Sequence, residues 1–214
     1  MDITTIQPIT GTWIAGATAL TIAKHLQLVG MSHLFFSPTL VFHRHQYWRI
    51  VTTFFYFGDF NIHTIMYAVT SLRFAYMLEQ SNFGSARRAE FAWLLLFSAA
   101  TLLCLSSVLT IPFLSLPLSQ ILTYVWCRKN RHQHISLFGF ITITAPYLPY
   151  AYLVIDILLG STLNELRGDL VAIAIAHIYL FFTSWWPREY ASSGYNPLET
   201  PELLKQLLGP NPVV

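Results

Sequence analysis

Six apolar blocks, separated by short charged segments, constrain the fold of this chain more than any other feature of its sequence. Hydrophobic residues make up 54% of its 214 residues and charged residues only 10%, whereas a soluble domain carries about 25% charged residues. Inside hydrocarbon a segment must satisfy its own backbone hydrogen bonds, so blocks of nearly spanning length should be helices. The pattern predicts an all-α polytopic membrane protein, a bundle of six transmembrane helices. The predicted spans are residues 12–29, 61–78, 90–111, 114–127, 135–159 and 168–186.

The segments outside the spans indicate how the chain is divided. Residues 30–60 are too polar in the middle to span and too apolar for a free loop, and they carry Tyr47, Trp48 and Arg49. Because such rings and arginines settle at headgroup depth, we interpret this stretch as an interfacial layer. It belongs to one membrane domain, residues 1–186. Residues 187–214 form a proline-containing tail in which only "ELLKQLL" is expected to form a small amphipathic helix.

Basic residues are concentrated on one side of the predicted bundle. These residues are Arg87, Arg88, Arg128, Lys129, Arg131, Arg188 and Lys205. Loops with an excess of Lys and Arg remain in the cytosol, so both termini are predicted to be cytosolic. Arg73 and Glu79, near the end of the second block, are interpreted as side chains that snorkel to the interface. The net charge of +2 is too small to indicate nucleic-acid binding.

The fourth block is shorter than a membrane is thick. Between Pro112 and Arg128 it provides about fourteen residues, or roughly 21 Å of helix, against a hydrocarbon core of about 30 Å. A helix this short either lies hidden inside the bundle or makes the bilayer thinner around it. A thinned bilayer would lower the barrier for moving a polar chain across the membrane.

His177 lies inside the sixth block, where an ionisable side chain is expensive and indicates a functional position. One interpretation is a neutral imidazole that is hydrogen-bonded inside the bundle. The other is a catalytic base, which requires a nucleophile. Ser115 and Ser119 in the fourth block lack the Gly-x-Ser-Gly setting that frees a serine and provides oxyanion donors.

Small residues recur every four positions along the sixth block. Gly168, Ala172 and Ala176 form one stripe that lets another helix approach closely. The sequence therefore predicts a packing seam there. Either a neighbouring span or a partner protein could fill it.

The fifth block combines prolines with polar residues. Thr142, Pro149, Tyr152 and Asp156 have spacings that fit one helical face. Pro146 and Pro149 each remove a backbone hydrogen bond and are expected to kink the helix. The pattern indicates either an interior bend or a mobile helix that lines a polar groove.

The remaining candidate groups do not form a metal or disulfide pattern. Cys104 and Cys127 lie in or beside apolar blocks and are interpreted as packed thiols. His132 and His134 have no matching ligand set, so we predict no metal site and no cofactor.

Several stretches of the chain together point to one family. They are "SPTLVFHRHQYWRIVTTFFYFG", "RFAYMLEQSNFGSARRAEF", "YVWCRKN", "FGFITITAPYLPY" and "AHIYLFF", with "TPELLKQLL" in the tail. In this order and spacing they resemble the derlin family, relatives of the rhomboid intramembrane proteases. Each motif alone is weak, and the combination, over residues 36–186, is specific.

The resemblance implies a rhomboid-like six-helix fold in the membrane of the endoplasmic reticulum, without enzymatic activity. It also implies a role in exporting misfolded proteins to the cytosol for ubiquitination and degradation. The implied partners are a membrane RING ubiquitin ligase complex and, more distantly, an AAA unfoldase. His177 resembles the rhomboid catalytic histidine, with the protease serine lost, and Trp48–Arg49 matches the Trp-Arg pair of the rhomboid first loop.

Two departures from the family pattern modify these expectations. Ala172 and Ala176 stand where derlins tend to have a Gly-x-x-x-Gly pair, which predicts slightly wider packing. The tail lacks the family's short unfoldase-binding box, so we expect contact with the unfoldase to be indirect.

The expected function is therefore retrotranslocation aided by a thinned membrane and a laterally open groove. The sequence leaves two alternatives open. One is a non-conducting membrane scaffold or adaptor of a ubiquitin-ligase complex, and the other is an active rhomboid intramembrane protease.

Overall fold

The computed structural model describes residues 7–58, 62–84, 87–109, 111–137, 141–158, 160–189 and 198–208. These residues are mostly helical, which confirms the predicted all-α class. The helices are α1 (Pro8–His25), α2 (Pro38–His43), α3 (Trp48–Thr52), α4 (Ile62–Met77), α5 (Arg88–Leu109), α6 (Ser115–Lys129), α7 (Leu148–Leu158), α8 (Leu163–Leu180), α9 (Trp186–Glu189) and α10 (Glu202–Leu208).

Shorter elements connect and extend these helices. The π-helical segments Leu78–Phe83 and Phe181–Trp185 continue α4 and α8. Three-ten turns cover Met31–His33 and Ala145–Tyr147. Parts of the predicted tail, residues 190–197 and 209–214, lie outside the described residues.

Local chemistry explains where several helices begin. Pro8 and Pro38 lie in the first turns of α1 and α2, where a missing backbone N–H costs little. α8 begins with a capping box: Glu165 N donates to Thr162 Oγ1 at 3.4 Å, and Thr162 N donates to Glu165 Oε2 at 2.7 Å.

The start of the predicted fifth span is a hairpin and not a helix. β1 (His134–Leu137) and β2 (Ile141–Thr144) pair antiparallel, with Ile135 opposite Ile143. The run of β-branched residues from Ile141 to Thr144 favours a strand, because these side chains are restricted in a helix. The prediction that the proline-broken span is helical from residue 135 is therefore wrong for its first part, and helical structure begins only at Ala145.

α6 occupies the centre of the bundle. It packs against α4, α5, α7 and α8, most extensively against α8. Every residue from Pro117 to Cys127 is buried. The structure thus decides between the two possibilities for the short fourth block, because α6 lies hidden among the other helices.

Two helices among the described residues are long and apolar enough to cross a bilayer by themselves. They are Arg88–Leu109, with 22 residues, and Glu165–Trp185, with 21 residues. α4, α6 and α7 are shorter, with 16, 15 and 11 residues. Two such helices are weak evidence for a membrane protein when taken alone, and the six-span arrangement stays a prediction.

The segment that precedes α4 is tied to the N-terminal end of α6. Phe36 N donates to Pro112 O at 2.9 Å, and Leu114 N donates to Thr53 O at 3.1 Å. Trp13 of α1 also donates from Nε1 to Phe54 O at 2.9 Å. These three hydrogen bonds, two between backbone groups and one from the Trp13 side chain, give the segment a defined position on the bundle.

Glu79 connects the other end of α4 to the start of α1. Its carboxylate accepts hydrogen bonds from Ile9 N at 3.2 Å, Thr10 N at 2.8 Å and Thr10 Oγ1 at 2.6 Å. The first N–H groups of a helix have no partner within the helix, and a carboxylate satisfies both their hydrogen bonds and their positive dipole. Glu79 is fully buried, so the expectation that it snorkels is wrong.

Candidate functional site

The candidate site is the polar region where α4 and α7 both pack against α6, which we call the cleft. Both helices pack against α6 and make few contacts with each other across the described residues. α7 is also joined to α6 by a hydrogen bond from Gln120 Nε2 to Pro149 O at 3.1 Å. α6 therefore sets the positions of both walls of the cleft.

Polar side chains from both walls come together in this cleft. Tyr152 of α7 interacts electrostatically with Arg73 of α4 and with Asp156 one turn along α7. Arg73 is exposed, whereas Tyr152 is half-buried and Asp156 is buried. Two of the predicted groove residues, Tyr152 and Asp156, thus lie one turn apart on α7, and Tyr152 interacts with a cation of α4.

The other three predicted groove residues are placed differently. Thr142 lies in β2 and therefore does not share a helical face with Tyr152 and Asp156. Pro146 lies in the three-ten turn before α7, and Pro149 is the second residue of α7. Both prolines therefore lie where the helix begins, in turns that tolerate proline, and not in the helix interior.

Asp169 adds a second buried carboxylate on α8. It is 6% exposed, and it interacts electrostatically with Asp156 across the α7–α8 contact. Buried carboxylates are expensive in an apolar bundle, and like charges near one another are more so. Asp156 and Asp169 therefore place two buried carboxylates at the contact between α7 and α8.

The predicted Trp-Arg pair has two separate roles. Arg49 is buried, donates from Nε to Gln46 Oε1 at 2.7 Å and from Nη1 to Phe35 O at 2.9 Å, and lies 5.0 Å from the centre of the Phe35 ring. Burial lowers the pKa of its guanidinium, although an arginine stays charged at neutral pH. Trp48 is half-exposed. Arg49 therefore organises the segment internally, while Trp48 points its ring to the surroundings.

His177 lies in the last turn of α8, beside the C-terminal half of α6. Its Nδ1 is 2.9 Å from Tyr124 Oη, and its ring meets Trp185 edge-on with 5.2 Å between the ring centres. Arg128 Nε also donates to Tyr124 Oη, at 3.1 Å. A tyrosine thus links the histidine to a cation.

The two serines considered as nucleophiles lie elsewhere on α6. Ser115 donates from Oγ to Tyr56 O, and Ser119 donates from Oγ to Ser115 O at 2.8 Å. Tyr124, the partner of His177, follows Ser115 by nine residues, which corresponds to about 13 Å along a helix. The structure does not bring His177 and Ser115 together.

Comparison with known proteins identifies the family. The model of the Der1-like family matches residues 6–202. The chain is 34% identical to Derlin-1 of Arabidopsis thaliana over 205 residues, covering 95% of this chain and 74% of the relative. It is 32% identical to Derlin-2.2 of the same plant, covering 96% and 86%. It is 31% identical to Derlin-2 of Oryza sativa subsp. japonica, covering 96% and 84%.

The chain belongs to the Der1-like family. This is a family of membrane proteins, and membership confirms the resemblance that the motifs carry. The two long apolar helices are consistent with it.

The small-residue stripe of this Der1-like chain faces α6. Ala172 and Ala176 are fully buried. A Cβ added to Gly168 would meet Pro117 Cγ of α6 at 3.1 Å, which is tighter than ordinary side-chain packing. A neighbouring helix of the same chain therefore fills the seam.

The tail helix of the Der1-like chain returns to the bundle. α10 packs against α5, and Trp93 Nε1 donates to Leu198 O at 3.2 Å. Leu203 and Leu207 remain exposed while Leu204 and Leu208 are half-buried. The predicted helix is confirmed, and its apolar side is divided between α5 and the surroundings.

Sequence reasoning missed four contributors to these sites: Glu79 as a cap, Asp169, Tyr124 and Arg128. A charge within the sixth block was a signal for Asp169. The spacing of four residues between Tyr124 and Arg128 was a local signal for that pair. Nothing local indicated that Glu79 caps α1 or that Tyr124 meets His177, because those partners are far away in the chain.

Proposed function

We propose that this Der1-like chain is a catalytically inactive, rhomboid-like component of endoplasmic-reticulum-associated degradation. It helps misfolded proteins to move from the endoplasmic reticulum to the cytosol through the cleft between α4 and α7. The chain crosses the membrane six times with both termini in the cytosol, in keeping with its charge pattern. The observation that carries this proposal is the group of polar side chains, Arg73, Tyr152 and Asp156, which α4 and α7 place beside α6.

The cleft suits a polar chain that has to pass a membrane. α7 has 11 residues, or about 17 Å of helix. It exposes Val154, Ile157 and Leu158 to the surroundings. A short helix that faces lipid makes the bilayer locally thinner, and Arg73, Tyr152 and Asp156 provide polar contacts beside it.

Partners follow from the family and not from a docking surface. A membrane RING ubiquitin ligase complex would modify the emerging substrate, and an AAA unfoldase, engaged through that complex, would supply the energy. The hydroxyls of Ser115 and Ser119 both donate to backbone carbonyls, and His177 is paired with Tyr124, which supports a role without proteolysis.

Site-specific photocrosslinking tests the cleft. A photoreactive amino acid replaces Tyr152 or Arg73 in the full chain, and a misfolded substrate is stalled during export. Leu96, exposed on α5, is the control position. We expect crosslinks to substrate from both cleft positions and none from Leu96.

Other outcomes separate the alternatives. Equal crosslinking from Leu96 would mean that the substrate meets the bundle without a defined path. Absence of crosslinks, with ligase association intact, would indicate the scaffold function. Fluorophosphonate labelling that is lost in Ser115→Ala and in His177→Ala would establish the protease.

A further inference from the structure

A basic cavity lies away from the cleft, where the C-terminal end of α6 meets the end of α8. It has a volume of about 320 Å³, which falls at the lower end of the range for small-molecule sites. One wall comes from the last turn of α6 and the residues after it. The side chains of this wall are Arg128, Lys129, Arg131 and His132.

The opposite wall is amphipathic. Leu180 ends α8, and Ser184 and Trp185 belong to the π-helical segment that follows. A leucine and an indole provide apolar surface, and the serine provides a hydroxyl donor. Tryptophan is also the residue type that prefers the boundary between headgroups and hydrocarbon.

The charge of the cavity is not neutralised by its own lining, which contains no carboxylate among the described residues. Glu90 of α5 attracts Lys129, but it also faces Arg87, with Nη1 and Oε2 3.9 Å apart. Since one carboxylate is shared between two cations, the cavity keeps a positive field.

The guanidinium of Arg128 is held in a defined orientation. Its Nε donates to Tyr124 Oη at 3.1 Å, and it lies 5.2 Å from the centre of the Tyr124 ring. Tyr124 in turn pairs with His177, whose ring packs against Trp185 of the opposite wall. Both walls are therefore joined by one network, which reduces the ordering cost of binding an anion.

We propose that this cavity binds the phosphate of an anionic phospholipid headgroup. The cations of the α6 wall bind the phosphate oxygens, as arginine and lysine do elsewhere. Leu180 and Trp185 contact the glycerol and the first methylene groups. The assignment of this lipid to the cytosolic leaflet rests on the orientation proposed above, whereas the binding itself does not depend on that orientation.

Native mass spectrometry of the full chain in detergent measures this binding. The protein is titrated with dioleoyl phosphatidic acid and, separately, with dioleoyl phosphatidylcholine. We expect one phosphatidic acid to bind in preference to phosphatidylcholine. The double variant Lys129→Gln/Arg131→Gln should bind it about tenfold more weakly, because two charged partners of the phosphate are lost.

Matched variants exclude general electrostatic attraction. Arg44→Gln/Lys205→Gln removes the same charge from residues outside the cavity that do not share a carboxylate with its lining, and it should leave affinity unchanged. Lys129→Arg/Arg131→Lys keeps both cations and should retain binding. Circular dichroism establishes that each variant has folded.

Two results would overturn the proposal. Equal weakening in both charge-removing variants would mean that phosphatidic acid binds the basic surface diffusely. Displacement of the lipid by inorganic phosphate at the same concentration would mean that the cavity holds a free phosphate and has no lipid preference.

Discussion

α6 and α7 are both shorter than a bilayer is thick, but their surroundings are opposite. α6 has 15 residues and is buried over its whole middle, from Pro117 to Cys127. α7 has 11 residues and lies at the edge, with Leu158 79% exposed. Mismatch with the bilayer matters only where a helix meets lipid. We therefore expect the bilayer to be thinner beside α7, and not beside α6 as the sequence suggests.

The largest expected effect comes from a matched pair of leucines. Leu122→Ala in α6 removes a side chain that is 0% exposed, and such cavities cost about 2–5 kcal/mol. Leu158→Ala in α7 should change the free energy of unfolding by less than about 0.5 kcal/mol. Denaturation by SDS in mixed micelles measures both. Similar losses would show that α7 is as tightly packed as α6.

The contact of α6 with α8 predicts a smaller effect. Ala176→Leu puts a large side chain into a fully buried position, and overpacking costs about 1–3 kcal/mol. Ala174→Leu, on the exposed face of α8, is the control and should be close to neutral. The same unfolding assay applies. A neutral Ala176→Leu would contradict close packing of α8 on α6.

The hydrogen bond between α6 and α7 allows the stability of the two helices to be compared in one experiment. Gln120→Leu removes the donor to Pro149 O, and the loss of one such bond costs about 0.5–1.5 kcal/mol. We expect faster hydrogen exchange in α7 and unchanged exchange in α6, since α6 keeps its other neighbours. Exchange read by mass spectrometry distinguishes the two helices. Equal acceleration in both would mean that they open as one unit.

The smallest effect is expected at a third short helix, α10. Lys205 donates to Glu199 and Glu202, each at 2.8 Å, and its hydrogen bond lowers the pKa of the Glu199 carboxyl. Because this folded-state pKa is depressed, the ion pair contributes at neutral pH and is lost as the pH falls through that value. Lys205→Gln should raise the Glu199 pKa without a measurable change in unfolding. An NMR titration of the carboxyl carbon checks it, and an unchanged pKa would show that the pair is not formed.

Several features of the fold were predictable because their causes are local. The capping box at Thr162 and Glu165 and the short helix at "ELLKQLL" follow from neighbouring residues. The antiparallel pairing of residues 134–137 with residues 141–144 had a local signal too, the β-branched run at Ile141–Thr144. The apolar character of the block outweighed this signal. The prolines at 146 and 149 were recognised, although their place at the start of α7 depended on where the hairpin ends.

The candidate sites were less predictable. Tyr152 and Asp156 were found from the sequence, because polar residues in an apolar block are conspicuous. The interactions of Tyr152 with Arg73 and of Asp156 with Asp169 were not predicted, since the members of each pair are separated in the chain. The capping role of the Glu79 carboxylate was missed for the same reason, because the helix that it caps begins 71 residues earlier, at Pro8.

The sequence by itself determined that this chain is rich in apolar helices, which of its loops are basic, and to which family it belongs. Only the tertiary structure decided which short helix is enclosed and which is exposed. The physical reason is that hydropathy measures the cost of leaving water. Lipid and a packed helix are both apolar, so a residue of α6 and a residue of α7 satisfy the same preference with different neighbours.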